Sequence, residues 1–254
     1  MTARIISITN QKGGVGKTTT AVNLSAGLVH VGKGVLLIDT DPQANATINL
    51  LPEGYEPEFT IKDVFYGKKL SQAICPSVVD GLDIVPSALG FAAIESELAS
   101  KIGRELKLKK ALDDQVKQQY DFIIIDTPPA LDMISINTLV AADEVIIPIH
   151  EFYALEGVAQ LMKVISQVRE DLNPNLKVGA ILLTMFDERT NLAKEIKEKI
   201  HEIFGDALLN TTIPRSIKLA EAPSYKQTIF DYASESTGAK AYQDLSNELM
   251  ARWS

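Results

Sequence analysis

Residues 4–20 read RIISITNQKGGVGKTTT. An apolar, β-branched run leads into a glycine-rich loop, and Lys17 with three threonines then opens a helical pattern. Strand, loop and helix in that order form the setting of a phosphate-binding loop. Glycines let backbone N–H groups close around an anion, and the helix N-terminus adds a favourable dipole. The ordinary loop, G-x-x-x-x-G-K-[ST], carries one lysine at its end. Gly16, Lys17 and Thr18 fit that ending, but the first glycine would fall at Gln11, and a second lysine stands at position 12. In this reading Lys17 reaches the β- and γ-phosphates and the Thr18 hydroxyl binds Mg²⁺. Gly13, Gly14, Val15, Gly16 and Thr19 complete the cradle.

The same alternation continues outward. Strand-like runs occupy 4–9, 34–39, 82–87, 121–126, 144–149, 178–184 and 207–214, and most are continuously apolar. That pattern belongs to strands covered on both faces. Helical patterns lie between them, as in TTTAVNLSAGLVHVG, LEGVAQLMKVISQVREDL and NLAKEIKEKIHEIFG, and a last helix spans roughly 238–252. The chain is therefore expected to be α/β, a doubly wound, mostly parallel sheet with helices on both faces. One domain is expected over 1–254, with 52–80 as an irregular insertion.

Composition narrows the setting. The 254 residues are 46% hydrophobic and 23% charged, the balance of a soluble globular protein. No apolar run reaches the 18 residues of a membrane span, and Cys75 is the only cysteine, so an intramolecular disulfide or cysteine-held cluster is excluded. A cytoplasmic setting is expected. The net charge of −8 argues, taken alone, against nucleic-acid binding.

Three carboxylates stand at strand ends, where an open parallel sheet binds its ligands. Asp39 and Asp41 lie in DTDPQ, and Asp126 ends the run FIIID. An aspartate in the last position holds Mg²⁺, commonly through water, in P-loop enzymes.

The segment KGGVGKTT resembles the deviant Walker A motif of the ParA/MinD group of P-loop ATPases. VLLIDTDPQANAT, YDFIIIDTPPAL, FYALEG, LLTMFDERTNLA and IPRSIKLAEAPSY extend the likeness from residue 4 to about 226, in order. Together they are similar to the chromosomal and small-plasmid ParA (Soj) partition ATPases. The resemblance implies a homodimer closed face to face around two ATP molecules, with Lys12 reaching the phosphates held by the other subunit. It implies that Asp41 positions the attacking water, that Asp39 lies near the Mg²⁺ shell, and that Met185, Pro214 and Arg215 recognise the base. Tyr153 and Glu156 would serve the dimer face or helix packing. The family also binds double-stranded DNA without sequence preference, as the ATP dimer. The matching positions are Arg189 and Lys218, with Lys194, Lys197, Lys226 and Lys240 as weaker candidates. A ParB-like partner that stimulates hydrolysis, and association with the nucleoid, complete what the resemblance implies.

Residues 151–254 hold 12 Lys/Arg against 15 Asp/Glu, and 1–150 hold 13 against 18, so neither part is basic. Dimerisation would double whatever phosphate contacts one subunit offers. A MinD-type membrane switch shares the ATPase site but ends in a basic amphipathic helix. GAKAYQDLSNELMARWS reads instead as a helix packed on the domain, and no membrane contact is expected. An iron–sulfur carrier lacks its cysteines here, and the double-lysine loop argues against a small-molecule kinase or ligase. No helix-turn-helix precedes the loop, so operator-specific repression is not expected.

Overall fold

A computed structural model describes residues 2–150 and 155–253. Eight strands form one sheet: β1 (Arg4–Ile8), β2 (Val35–Asp39), β3 (Cys75–Pro76), β4 (Leu82–Val85), β5 (Phe122–Asp126), β6 (Glu144–Ile149), β7 (Lys177–Thr184) and β8 (Leu208–Ile213). Their order across the sheet is β3-β4-β2-β5-β1-β6-β7-β8, and every pair is parallel except β3 with β4. All seven expected strands are present. The eighth, β3, lies inside the stretch read as an irregular insertion. Two residues give no pattern to read, and Pro76 suits an edge position, where its missing N–H leaves no ladder bond unmade.

Twelve helices connect the strands among the described residues. They are α1 (Lys17–His30), α2 (Asn45–Leu50), α3 (Ile61–Phe65), α4 (Ile94–Leu98), α5 (Lys107–Ala111), α6 (Asp114–Lys117), α7 (Met133–Ala141), α8 (Leu155–Asp171), α9 (Asn191–Phe204), α10 (Ile217–Glu221), α11 (Ile229–Ala233) and α12 (Thr237–Trp253). Leu36, Ile38, Ile123 and Ile125 point into a core layer covered by α3 to α9. Their strand neighbours Val35, Leu37, Phe122 and Ile124 point into the layer of α1, α2 and α10 to α12. Coverage on both sides is why these strands read as unbroken apolar runs.

Strand order reverses at β1, with β5, β2 and β4 on one side and β6, β7 and β8 on the other. Such a switch point opens a crevice at the carboxyl ends of the strands. The loop at 10–16 lies there.

At the opposite end of the sheet the C-terminal helix is pinned. Trp253 Nε1 donates to Glu144 Oε2 at 3.0 Å, Arg4 donates to Glu144 Oε1 at 2.7 Å, and the Trp253 ring lies against Phe122 with centroids 5.0 Å apart. Along α12, Tyr242, Leu245 and Leu249 are fully buried, and the Tyr242 hydroxyl meets Thr20 Oγ1 at 3.2 Å. No helix among the described residues is long and apolar enough to cross a membrane. Leu245→Ala should cost about 2–5 kcal/mol, because the surrounding layer closes a cavity only in part. Urea unfolding checks this; a midpoint within error of wild type would show that α12 is not part of the core.

Candidate functional site

β1 delivers the chain to Asn10, which is buried and braces the loop from both ends of its amide. Its Nδ2 donates to Pro148 O at 2.7 Å, and its Oδ1 accepts from Lys12 N at 3.0 Å. Gly14 (φ 72°) and Gly16 (φ 84°) then adopt the left-handed region, where a side chain would be strained. Gly16 caps α1 with no side-chain hydrogen bond, and the first turn carries no acid. Its N–H groups are thus presented to an incoming anion. The far side of the loop is held by Thr184 at the end of β7, whose hydroxyl donates to Val15 O at 2.9 Å. Lys17 is buried, and its Nζ donates to Lys12 O at 3.1 Å. Burial pushes the Lys17 ammonium below its ordinary value, while the charges of Asp126 and Asp41 hold it up. Phosphate would supply the counter-charge and hydrogen bonds that this ammonium lacks.

The carboxylates separate into distinct roles. Asp126 ends β5 in register with Ile8 on one side and Asp39 on the other. It is fully buried, and neither carboxylate oxygen has a hydrogen-bond partner. Burial first, then the charge of Asp39, drives its proton affinity well above the ordinary range; Thr18 and Lys17 pull the other way. An orphaned carboxylate beside a helix-opening threonine fits a hydrated divalent cation. Thr18 and Asp126 would hold Mg²⁺, and bound phosphate would complete its oxygen shell.

Asp39, expected near the same shell, stands beside Asp126 with both oxygens hydrogen-bonded to its own chain. Its Oδ1 accepts from Asp41 N at 3.0 Å, and its Oδ2 accepts from Thr47 N at 2.9 Å and Thr47 Oγ1 at 2.7 Å. The chain turns back after β2 and aims these donors at the carboxylate, so Asp39 fastens the loop over 40–47. Burial still pushes its pKa up to about 6. Asp41 sits on that fastened loop, also buried, with Oδ1 accepting from Gln43 N at 2.9 Å. Ala44 follows in the left-handed region at φ 54°, a strained turn for an alanine.

Two further edges meet the loop. Met185 follows Thr184 at φ 51°, and Phe186 N donates to Ile213 O at 2.9 Å, which sets Met185 beside Pro214. Pro214 and Arg215 open onto a groove of about 690 Å³ that also takes in Phe186 and Arg189. On the other side, Lys12 is exposed and lines a groove of about 500 Å³ with Pro129, Leu131 and Gly157. Tyr153 and the Glu156 side chain lie outside the described residues. Sequence reading missed Asn10, Thr47 and Thr184. Only Asn10, abutting the loop, had a positional signal.

Of the residues matched to DNA contacts, Arg189 and Lys240 line the groove beside Pro214 and Arg215. Arg189 is 88% exposed and grips Asp187 through Nε at 2.8 Å and NH2 at 2.7 Å. Lys218 donates to Glu221 at 3.0 Å and lies 5.4 Å from the centroid of the Tyr232 ring. Lys240 approaches Glu235 at 3.9 Å, Lys197 approaches Glu188 at 3.5 Å, and Lys226 donates to Leu51 O at 3.5 Å. Lys194 is exposed on α9.

The sequence matches the AAA domain family over residues 3–178. It is 46% identical over 250 residues to the sporulation initiation inhibitor protein Soj of Bacillus subtilis, covering 98% of each chain. It is 44% identical to the chromosome-partitioning ATPase Soj of Thermus thermophilus, covering 98% of this chain and 96% of that one. Among solved structures, cobyrinic acid a,c-diamide synthase of Mycobacterium smegmatis with a bound ATP analogue and magnesium superposes with a TM-score of 0.85 at 32% identity, over 99% of this chain and 96% of that one. The septum site-determining protein MinD of Pyrococcus horikoshii with Mg-ADP superposes with a TM-score of 0.78 at 26% identity, over 97% and 96%.

Two substitutions test the geometry of the loop. Lys17→Ala should abolish nucleotide binding, since the charge-assisted contact to phosphate is lost. Thr184→Val should weaken it by about tenfold, because the Val15 carbonyl loses its anchor and the loop relaxes. Calorimetric titration with ATP measures both; wild-type affinity in Lys17→Ala would remove the loop from consideration.

Proposed function

Because the chain belongs to the Soj/ParA family of chromosome-partitioning ATPases, we propose that it binds Mg²⁺–ATP, closes into a homodimer across the nucleotide, holds DNA by its phosphates, and lets go after hydrolysis. The observation that carries this reading is the second lysine. Lys17 lies folded into its own loop, whereas Lys12 is exposed on the rim beside Pro129 and Leu131. A cation there serves a phosphate that lies across an interface.

The chain's own residues divide the work. Loop N–H groups and Lys17 would seat the phosphates, and Met185, Pro214 and Arg215 would flank the base. Thr18 and Asp126 would hold Mg²⁺, which would supply positive charge against the phosphates. Asp41, on the loop fastened by Asp39, would orient the attacking water. Lys12 of one subunit would meet the charge that develops on the phosphoryl group bound by the other, in a site closed to water. ATP hydrolysis would proceed to ADP and phosphate, stimulated by a ParB-like partner. Arg189 and Lys218 would release their carboxylates to reach DNA phosphates, an affordable exchange because exposed ion pairs contribute only about 0–1 kcal/mol. The protein would act in the cytoplasm, on the nucleoid.

A membrane switch of the MinD type would use an exposed amphipathic helix, and α12 does not offer one. The apolar side chains of α12 instead lie in the core, which favours DNA over lipid.

Lys12→Ala should bind ATP but stay monomeric, and Asp41→Ala should dimerise with ATP and stall before hydrolysis. Light scattering with ATP and with ADP separates the two; a normal Lys12→Ala dimer would defeat the cross-subunit role. Arg189→Ala or Lys218→Ala should weaken binding to every duplex alike, flattening the salt slope by about two per dimer. Equal retention of DNA in ATP and ADP would rule out the nucleotide-gated reading.

A further inference from the structure

Residues 62–69 and 101–110 carry eight Lys or Arg against two acids. The rest of the chain then holds 17 cations against 31 acids (25 − 8 and 33 − 2), so positive charge is concentrated here. The two stretches meet in space. α5 packs against α3, and Leu108 enters the same core layer as Ile61, Val64 and Phe65. Lys68, Lys69, Lys101, Lys109 and Lys110 are all exposed. A Cβ on Gly103 would lie 3.8 Å from Lys110 Nζ, which brings Lys110 beside the segment carrying Lys101.

These lysines differ from the cations matched to DNA by likeness. Among the described residues, none of the five lies within 4.0 Å of a carboxylate, whereas Arg189 and Lys218 are each held by one. Arg104 is the exception on the patch, paired with Glu105 at 3.0 Å. A lysine without a carboxylate gives up only water and counterions when it meets a phosphate, and Lys68 in addition a contact of 4.2 Å with the Phe59 ring. Arg189 and Lys218 must also part from an acid that then repels the same phosphate. α10, which carries Lys218, buries Leu219 in the other core layer, so the patch and Lys218 occupy opposite faces of the sheet.

We propose that the lysine surface formed by the turn after α3 and by α5 is a second DNA-phosphate-binding face of the protein. The proposal rests on the DNA-binding reading above. Lysine ammonium groups act as point charges, so this face takes the backbone of any duplex without reading bases. Contacts from two subunits add, which makes the face most effective in the dimer.

The test replaces Lys68, Lys69, Lys109 and Lys110 together by glutamine. All four are exposed, so folding and ATP-dependent dimerisation should match wild type by circular dichroism and light scattering. With ATP, binding to two unrelated duplexes should weaken at every salt concentration. The plot of log affinity against log salt should become shallower by about two per dimer for each of the four lysines that meets a phosphate, and so by up to about eight. If wild type binds DNA and the quadruple variant shows the same affinity and slope, the second face does not exist. If wild type itself fails to retain DNA with ATP, the DNA-binding reading falls and takes this proposal with it. Ile102 is fully exposed next to Lys101 and supplies a further arm. Ile102→Ser should leave DNA affinity unchanged, since a phosphate backbone offers no apolar surface. Loss of DNA affinity in that variant would show that the surface does not act through phosphate contacts alone and would overturn the proposal.

Discussion

The structure is organised around a buried charge that the free chain leaves unsolvated. Asp126 lies at the end of the central β5 with both oxygens unpartnered, and Lys17 lies buried nearby with one carbonyl for company. Burying such groups costs several kcal/mol unless they are paired and hydrogen-bonded. The two apolar layers on either side of the sheet offset that cost. They also deny the groups an easy escape, since relaxing Asp126 toward water would pull β5 out of register with β1 and β2. The site is therefore held ready for a ligand that brings the missing partners: phosphate oxygens for Lys17 and a hydrated cation for Asp126.

Holding it ready depends on hydroxyls placed at strand ends. Thr40 Oγ1 donates to Asp126 O at 2.6 Å, Thr127 Oγ1 to Ile8 O at 2.8 Å, and Thr184 Oγ1 to Val15 O at 2.9 Å. The first two tie the last residue of one strand to its neighbour beyond the point where the parallel ladder stops, and the third ties the end of β7 to the loop. Asp39 does the same for the loop over 40–47 through Thr47, whose hydroxyl also accepts from Ser87 N at 2.8 Å. The rim that carries Asp41 is consequently fixed to β2 and to the chain beyond β4.

Much of this was legible in the sequence because it depends on short-range pattern. The seven long strands are continuous apolar runs, and the loop is contiguous. The five-residue helices α3, α4 and α5 were not legible, since one turn and a half gives no periodicity. Asp39 read as a metal candidate because a strand-end aspartate looks alike whether it faces a cation or a backbone. Its hydrogen-bond partners come from Asp41 N and from Thr47, eight residues on. Thr184 could not be linked to residue 15, 169 positions away, without the sheet order. The lysine patch was hidden for a similar reason. Counting by halves averaged 62–69 and 101–110 with the acids between and around them, and only the packing of α5 on α3 unites them.

That averaging also bears on how an acidic chain can hold a polyanion. At physiological salt, charges interact over a Debye length of about 8 Å. A compact chain of this size has a radius of gyration of about 18 Å. A duplex at one surface therefore responds to the lysines it touches and to their immediate neighbours, while most of the 33 acids are screened from it. The relevant quantity is local charge after internal pairing. By that measure Arg189 beside Asp187 and Lys218 beside Glu221 each count for little in the free chain, and exposed lysines without a carboxylate count in full. Net charge then sets the behaviour at a distance. The acidic field would slow approach and weaken any contact made through one patch alone, so on the proposed reading a dimer that presents its cations in duplicate would stay bound where a single subunit would not. If ATP closes the dimer as proposed, dependence of DNA binding on ATP would follow from that arithmetic without any further conformational device.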